Sequence, residues 1–512
     1  MHLGGMDQMR ARLLWPSLVA LGIFLACAPT TAATLRIGLQ EDPDALDPAR
    51  GGSFVGRVVM AAFCDKLIDV DQNLGFRPQL ATEWSWSADN LVLTLKLRRD
   101  ATFHDGDPFD AQAVVVNIDR YRTAPESQRK GELKPLQAVE VVDPYTVRIV
   151  LSEPYAPLLG LLSDRSGMMM SPKAIASMGG NIANKPVCSG PFRFVERVAQ
   201  QRIVFERFDR YWDAKAVHFD RVVYSPTPDS TVRLANLQAG TFDVIERVSP
   251  TDTKTVRGNS RLRLIESTAL GYNLISINVG NTKEAETPLG RDSRVREALE
   301  LSLDRVALND VVFDGLFVPS NQPQAPGTPY YDTGHPLPAR DVAKAKALLA
   351  EAGTPRVSFT LLVPNSPIDM QVGQVIQAMA GEAGFDIRIQ ATEAATLTSI
   401  TASGGYQAAL TIWSGRADPD GNISHWVACN GFLNWGKYCD PRLDAALGRA
   451  RSTTDSAQRA VFYRQAADIY LASRPELFLY HFRWLWGATA KLQGFVPYPD
   501  GIVRLQGLEL VP

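Results

Sequence analysis

The densest run of chemistry-bearing side chains is Ile412-Trp413-Ser414-Gly415-Arg416-Ala417-Asp418-Pro419-Asp420-Gly421-Asn422, which places a guanidinium, two carboxylates, an amide and an indole close together. A guanidinium grips a carboxylate or phosphate through two parallel N–H groups, so Arg416 reads as an anion anchor and Trp413 as an aromatic wall beside it. The competing reading folds Arg416 back onto Asp418 or Asp420 as a structural ion pair. Ser163-Asp164-Arg165-Ser166 offers a second cation, with Arg165 facing either a ligand or a surface salt bridge to Asp164 or another carboxylate. Glu41 and Asp42 lie in Gln40-Glu41-Asp42-Pro43-Asp44, directly after an opening strand, where open α/β sheets bind ligands. For these carboxylates the alternative is a solvated loop.

Other reactive side chains are dispersed. His104, His218, His335, His425 and His481 stand at no metal-ligand spacing, so each reads as a hydrogen-bonded structural residue; His425 stays open because it follows Arg416 closely. Trp435, Trp484, Trp486, Tyr480 and Tyr272 read mainly as core. The sequence contains no Gly-x-Ser-x-Gly, no phosphate-binding Gly-x-x-x-x-Gly-Lys-Ser/Thr, no His-Glu-x-x-His and no CxxC. Neither a catalytic residue, a metal nor a cofactor is therefore expected.

The compartment follows from the N-terminus. Met9-Arg10-Ala11-Arg12 is a short basic region, Leu13 to Ala26 is apolar, and Ala28-Pro29-Thr30-Thr31-Ala32-Ala33 supplies small residues for cleavage. This is the layout of a secretory signal peptide over residues 1–33, too short to span a membrane comfortably. Cys27 follows Phe24-Leu25-Ala26, which resembles a lipobox but lacks a Leu at the third position before the cysteine; a lipid anchor there is the alternative. Four cysteines remain, and in an oxidising compartment an even number reads as two disulfides: Cys429–Cys439 across one short loop, and Cys64–Cys188 as the remaining pair.

Composition bounds what the chain can be. With 512 residues, 45% apolar and 21% charged, it can bury more than one core, and a formal charge of −2 leaves no basic footprint for nucleic acid. Strands such as Thr34–Leu39 and the alternating Leu91–Leu97 are interleaved with amphipathic helices, which indicates an α/β architecture. Ser293, Asp341 and Asp455 are candidate helix caps. The helix from Asp455 is expected to bury Phe462, Ala466, Ile469 and Tyr470 and to stop before Pro475.

An ordered set of landmarks adds a family expectation. Gln79-Leu80-Ala81-Thr82-Glu83-Trp84, Leu95-Lys96-Leu97-Arg98 and Ala101-Thr102-Phe103-His104-Asp105-Gly106-Asp107-Pro108-Phe109 come first. Ser189-Gly190-Pro191-Phe192, Asp209-Arg210-Tyr211-Trp212 and Thr231 to Gly240 follow. Together they resemble the family 5 extracellular solute-binding proteins, the peptide- and nickel-type receptors of ABC importers. The resemblance implies a two-lobed periplasmic-binding-protein-like α/β fold (type II, cluster C). Lobe I is expected over 34–266 with an inserted sub-lobe near 71–190, lobe II over 267–487, and a C-terminal return over 488–512. It implies a monomeric periplasmic protein that closes on a small-molecule or oligopeptide ligand and hands it to an ABC permease at the inner membrane, with no nucleic-acid partner. An exported hydrolase, or a sensor or chaperone using the same fold, is the alternative. In peptide-binding relatives an Asp after Trp-x-Gly holds the ligand ammonium. Arg416 in that place implies an anionic group on the ligand, unless Asp418 takes the ammonium instead. Nickel-type relatives carry a cleft-facing Arg where Arg165 falls.

Overall fold

A computed structural model describes residues 33–511. The expected signal segment, including Cys27, lies outside the described residues apart from Ala33. Three sheets organise the chain. The first has seven strands in the order Leu262–Thr268, Arg483–Thr489, Val244–Ile245, Thr34–Leu39, Arg221–Pro226, Arg202–Arg207, Phe192–Val198. Thr34–Leu39 sits centrally, pairing in parallel with a strand on each side, and buries Leu35, Ile37 and Leu39 completely or nearly so. Strands buried in this way read as short apolar runs.

The second sheet orders Val318–Pro319, Glu476–His481, Tyr272–Ile277, Ala408–Trp413, Val357–Pro364 and Phe385–Thr392, with the helices Ser293–Ser302, Arg305–Phe313 and Pro367–Ala383 contributing to its core. The third is an antiparallel sheet between Ala81 and Leu151 that packs against the helix Ala111–Thr123 and holds a core of its own. In Val92–Leu97 exposure alternates along the strand as its sequence does.

The chain passes between the first two sheets twice, from Thr268 to Tyr272 and from His481 to Arg483. The second passage comes earlier than the break after 487 read from the sequence, because Trp484 and Trp486 belong to the first core. The passages lie side by side, with Ala269 N–H donating to Phe482 O at 2.9 Å. Buried His481 braces them, its ring nitrogens 2.9 and 3.1 Å from Gly271 O and Gln322 O. At Gly271 an added Cβ would fall 2.2 Å from Trp413 O, so only glycine lets the strands meet there.

Local signals place most helix ends. Asp341 and Asp455 accept backbone N–H groups from Lys344 and Gln458 as caps, while the cap expected at Ser293 is supplied by Asp292 one residue earlier. The helix Ser456–Ser473 buries Arg459, Tyr463, Ala466, Ala467 and Tyr470, leaving Phe462 and Ile469 half-covered. Its inward stripe is therefore rotated toward Arg459. Disulfides join Cys64 to Cys188 and Cys429 to Cys439.

Candidate functional site

Four arginines converge where the first- and second-sheet lobes meet. Ser53 caps the helix Phe54–Met60 by accepting from Gly56 N–H, and Asp44 holds that cap through Ser53 Oγ at 2.6 Å. The helix is buried on nearly every side, so Arg57 enters the interior with it. There it meets Asp164 twice, Nε to Oδ1 at 3.1 Å and Nη2 to Oδ2 at 2.9 Å. Asp164 ends the turn after the helix Leu158–Leu162, accepting from Arg165 N–H at 2.7 Å.

Arg165 is 2% exposed and donates Nη1 to Gly51 O at 2.8 Å, an oxygen that also accepts from Arg129 Nη2 at 3.3 Å. Arg129 pairs with Glu132 at 2.8 Å, and Glu132 accepts from Ser166 at 3.0 Å. The fourth cation is Arg416, from the opposite lobe. Its Nε stands 3.5 Å from Asp164 Oδ2, its guanidinium lies 4.4 Å from the centre of the Trp413 ring, and its side chain is 11% exposed.

Asn422 fixes Arg416 from both sides, accepting from its N–H at 2.7 Å and donating to its carbonyl at 2.9 Å. The same amide oxygen accepts the Trp413 indole N–H at 3.1 Å. Gly415 makes the bend at φ +84°, where a Cβ would collide with Leu270.

Charge in this cluster does not balance. Arg57, Arg129, Arg165 and Arg416 face the carboxylates of Asp164 and Glu132, leaving an excess of positive charge in a desolvated place. Three donors, Arg57 Nη1, Arg129 Nε and Arg165 Nε, are buried without a hydrogen-bond acceptor, although Arg165 Nε stands 3.7 Å from Asp164 Oδ1, and Asp164 Oδ2 is likewise buried and meets Arg57 and Arg416 only as ion pairs. Burial acts to raise the Asp164 carboxyl, but Arg57, Arg416 and Arg165 hold it well below the usual carboxylate range. Burial pushes Arg416 down to about 10, opposed by Asp164, and drives Arg165 well below its ordinary value with help from Arg129. An arrangement of four buried guanidiniums around two carboxylates is suited to receive an anion.

The lobes also touch without charge. At Gly160 a Cβ would lie 2.8 Å from Asp418 Cβ, and Ala156 N–H donates to Arg451 O at 2.8 Å. Cavities open between the lobes. One of about 490 Å³ is lined by Gln40, Arg247, Asn273, Asp369, Ile412 and Tyr480 among others. A second of about 270 Å³ lies beside Arg416 and Tyr330, and a third of about 490 Å³ beside Glu132, Tyr155 and His425.

Several sequence-derived candidates fall elsewhere. Arg416 pairs with neither Asp418 nor Asp420: Asp418 takes both nitrogens of Arg459 at 2.8 Å, and Asp420 takes Arg451 at 2.8 Å and Ser424 at 2.5 Å. A carboxylate occupied by a bidentate guanidinium is not poised for a ligand ammonium. Arg165 does pair with Asp164, Nε to Oδ1 at 3.7 Å, but in the interior and not at the surface. Asp42 turns away from the cleft to Arg197 at 3.0 Å and Gln200 N–H at 3.0 Å. Glu41 remains at the surface within electrostatic reach of Arg247.

Trp435 and Tyr272 pack in the second lobe, and the Tyr272 hydroxyl donates to Asn422 O. His104 is structural: Nδ1 accepts from Cys188 N–H at 3.3 Å, leaving Nε2 to donate to Gly190 O at 3.0 Å, and burial lowers it to about 4. Arg57, Arg129 and Glu132 were not legible as site residues, although a lone Arg inside the apolar run Phe54-Val55-Gly56-Arg57-Val58-Val59-Met60 is a usable signal for Arg57.

Comparison with known proteins adds the family context. Residues 75–434 match the family described as bacterial extracellular solute-binding proteins, family 5 Middle. The chain is 30% identical to the glutathione-binding protein GsiB of Pectobacterium atrosepticum, covering 99% of this chain and 100% of that protein. Among solved structures, the binding protein AgaA from A. tumefaciens R10 in complex with agropinic acid superposes with a TM-score of 0.82 at 23% identity, covering 94% of this chain and 99% of that one. DppA from Helicobacter pylori in complex with the peptide STSA gives 0.82 at 23% identity, covering 93% and 98%.

Proposed function

This chain belongs to family 5 of the bacterial extracellular solute-binding proteins, and from that premise we propose that it captures a small peptide-like ligand by seating a carboxylate among Arg57, Arg129, Arg165 and Arg416. The family comprises non-catalytic binding components of ABC transporters, which sets the hydrolase alternative aside. The observation that carries the reading is the imbalance of the interlobe cluster, with its three buried and unanswered donors.

A ligand carboxylate offers what the cluster lacks: negative charge and lone pairs in reach of preoriented N–H groups. Because Arg57, Arg129 and Arg165 stand on one lobe and Arg416 on the other, the anion is fully enclosed only when the lobes meet. Binding energy is in this way linked to closure about the paired passages at 269–271 and 481–483. The closed molecule then presents a joined face to an inner-membrane permease. Glutathione, named for the Pectobacterium relative, carries two carboxylates and is the first ligand to try. The apolar segment Leu13–Ala26 serves export to the periplasm, and the chain acts there as a monomer.

Native mass spectrometry of the purified protein identifies what co-purifies, and calorimetric titration with that ligand, glutathione and a peptide panel measures affinity. Truncating one member of a buried charge-assisted contact costs about 2–5 kcal/mol. Arg416→Ala is accordingly expected to weaken binding on the order of 30-fold or more. Unchanged affinity in Arg416→Ala overturns the anion-anchor reading.

A further inference from the structure

Arg247 stands outside the cluster and uses its guanidinium for no hydrogen bond or ion pair among the described residues; its Nε is buried without an acceptor. Its position is built. The residue follows the strand Val244–Ile245 at φ +53°, a conformation that a non-glycine residue adopts only when its surroundings impose it. Arg233 imposes it, donating Nε to Glu246 O at 3.3 Å and Nη2 to Arg247 O at 3.0 Å. Its Nη1 goes to Thr227 O at 2.7 Å and Pro228 O at 2.8 Å, so Arg233 is spent on carbonyls and left with a bracing role.

The Arg247 guanidinium lies 4.2 Å from the Trp484 ring centre, 4.8 Å from Phe482 and 5.7 Å from Phe54, an aromatic box that fixes its plane. Glu41 and Glu246 lend it negative field, but Glu246 is engaged by Gln40 N–H at 2.9 Å. Arg247 lines the interlobe cavity of about 490 Å³, whose far wall, with Asn273, Asp369 and Ile412, comes from the second lobe.

Phe54 joins this place to the cluster. Arg57 and Arg247 approach the same ring, at 5.8 and 5.7 Å from its centre. The two guanidinium carbons are therefore under about 12 Å apart, the reach of roughly three extended residues.

We infer that Arg247 is a second anion-binding group of this cleft and takes the distal carboxylate of a peptide-like dicarboxylate whose other carboxylate sits in the Arg57–Arg416 cluster. The inference rests on ligand capture between the lobes, and it adds length and a second charge to the ligand's specification. Its test is a cycle between protein and ligand, run by calorimetry on the full-length mature protein. The probes are glutathione, Gly-Gly-Glu and Glu-Gly-Gly, each with its monoethyl esters, and trialanine as the monocarboxylate control.

Wild type is expected to bind at least one of the dicarboxylates. Esterifying one of its ends, or replacing Arg247 by Ala, should each weaken binding about 30-fold, and the two changes together should cost little more than either alone. Arg247→Lys, which keeps the charge and stem but loses the planar fork, is expected to fall between wild type and Ala. Melting curves of the ligand-free variants establish that they fold.

The second subsite is overturned if the losses from esterification and from Arg247→Ala simply add, if Arg247→Ala binds like wild type, or if trialanine binds as tightly as every dicarboxylate. In the last case capture of a monocarboxylate peptide stands while the subsite falls. If no probe binds and nothing co-purifies, capture at this cleft falls as well.

Discussion

The loop after Trp413 carries charges toward two neighbouring places that solve the same electrostatic problem in opposite ways. On one side Asp418 and Asp420 are matched by Arg459 and Arg451, the first pair through two parallel contacts of 2.8 Å. On the other side Arg416 joins three further arginines around two carboxylates, and donors are left unanswered. A balanced buried pair is a finished object that holds the loop and its helix together. An unbalanced one is stable as a site only if something else arrives, or if water and distance keep the like charges tolerable. Proximity in sequence therefore says little about role: only Ala417 separates Arg416 from Asp418, yet the first pairs across the lobes with Asp164 and the second with Arg459 of its own lobe.

The largest effect that tests this contrast is on the balanced side. Removing Arg459 leaves Asp418 buried without its partner, so Arg459→Ala should cost about 3–5 kcal/mol of stability. Thermal and denaturant unfolding read this out, and a loss below about 1 kcal/mol would break the distinction.

Acid should separate stability from binding. His425, packed 4.4 Å from Phe432, is lowered to about 4 by burial. The unfolded chain, with an ordinary histidine near 6.5, binds a proton first as pH falls. The stability His425 confers is thus complete above about 6.5 and erodes as pH drops toward 4, by about 3 kcal/mol. Across pH 8 to 5 Asp164 and Arg416 keep their charges, because Asp164 is held well below the carboxylate range and burial pushes Arg416 down only to about 10. Affinity for a carboxylate ligand should accordingly change less than about threefold over that window while the denaturation midpoint falls. Parallel losses in both would tie ligand binding to His425.

The lobe contact at Gly160 gives a smaller, purely steric effect. Gly160→Leu places a side chain where Asp418 sits, so the lobes should meet less often and apparent affinity drop about tenfold. Small-angle scattering should then show little contraction on ligand addition; full contraction would remove Gly160 from the closure surface.

The smallest expected change is the sharpest discriminator. Arg416→Ala should leave the ligand-free protein within about 1 kcal/mol of wild type, since loss of the contact to Asp164 is offset by relief among the remaining cations. A large loss of stability there would move Arg416 into the same class as Arg459.

Patterns of local origin were legible before any coordinates. The central strand Thr34–Leu39, the caps at Asp341 and Asp455 and the two cysteine pairs all follow from short-range periodicity, side-chain chemistry or family landmarks, each of which survives when the chain is read in one dimension. What the sequence could not assign was partnership. Arg416 had two carboxylates within four residues and found its own at Asp164, more than two hundred positions away and on the other lobe. Asp42 belonged to a loop well placed for ligand and went to Arg197 instead. Arg57, Arg129 and Arg247 carry no motif; the apolar run around Arg57 hints at its burial, but only packing shows which of their donors lack acceptors. The physical reason is that the net charge of a site is a property of everything within a few ångströms in a poorly screened interior. Local sequence specifies which charges exist and roughly which way their elements run; the tertiary fold alone decides which of them cancel.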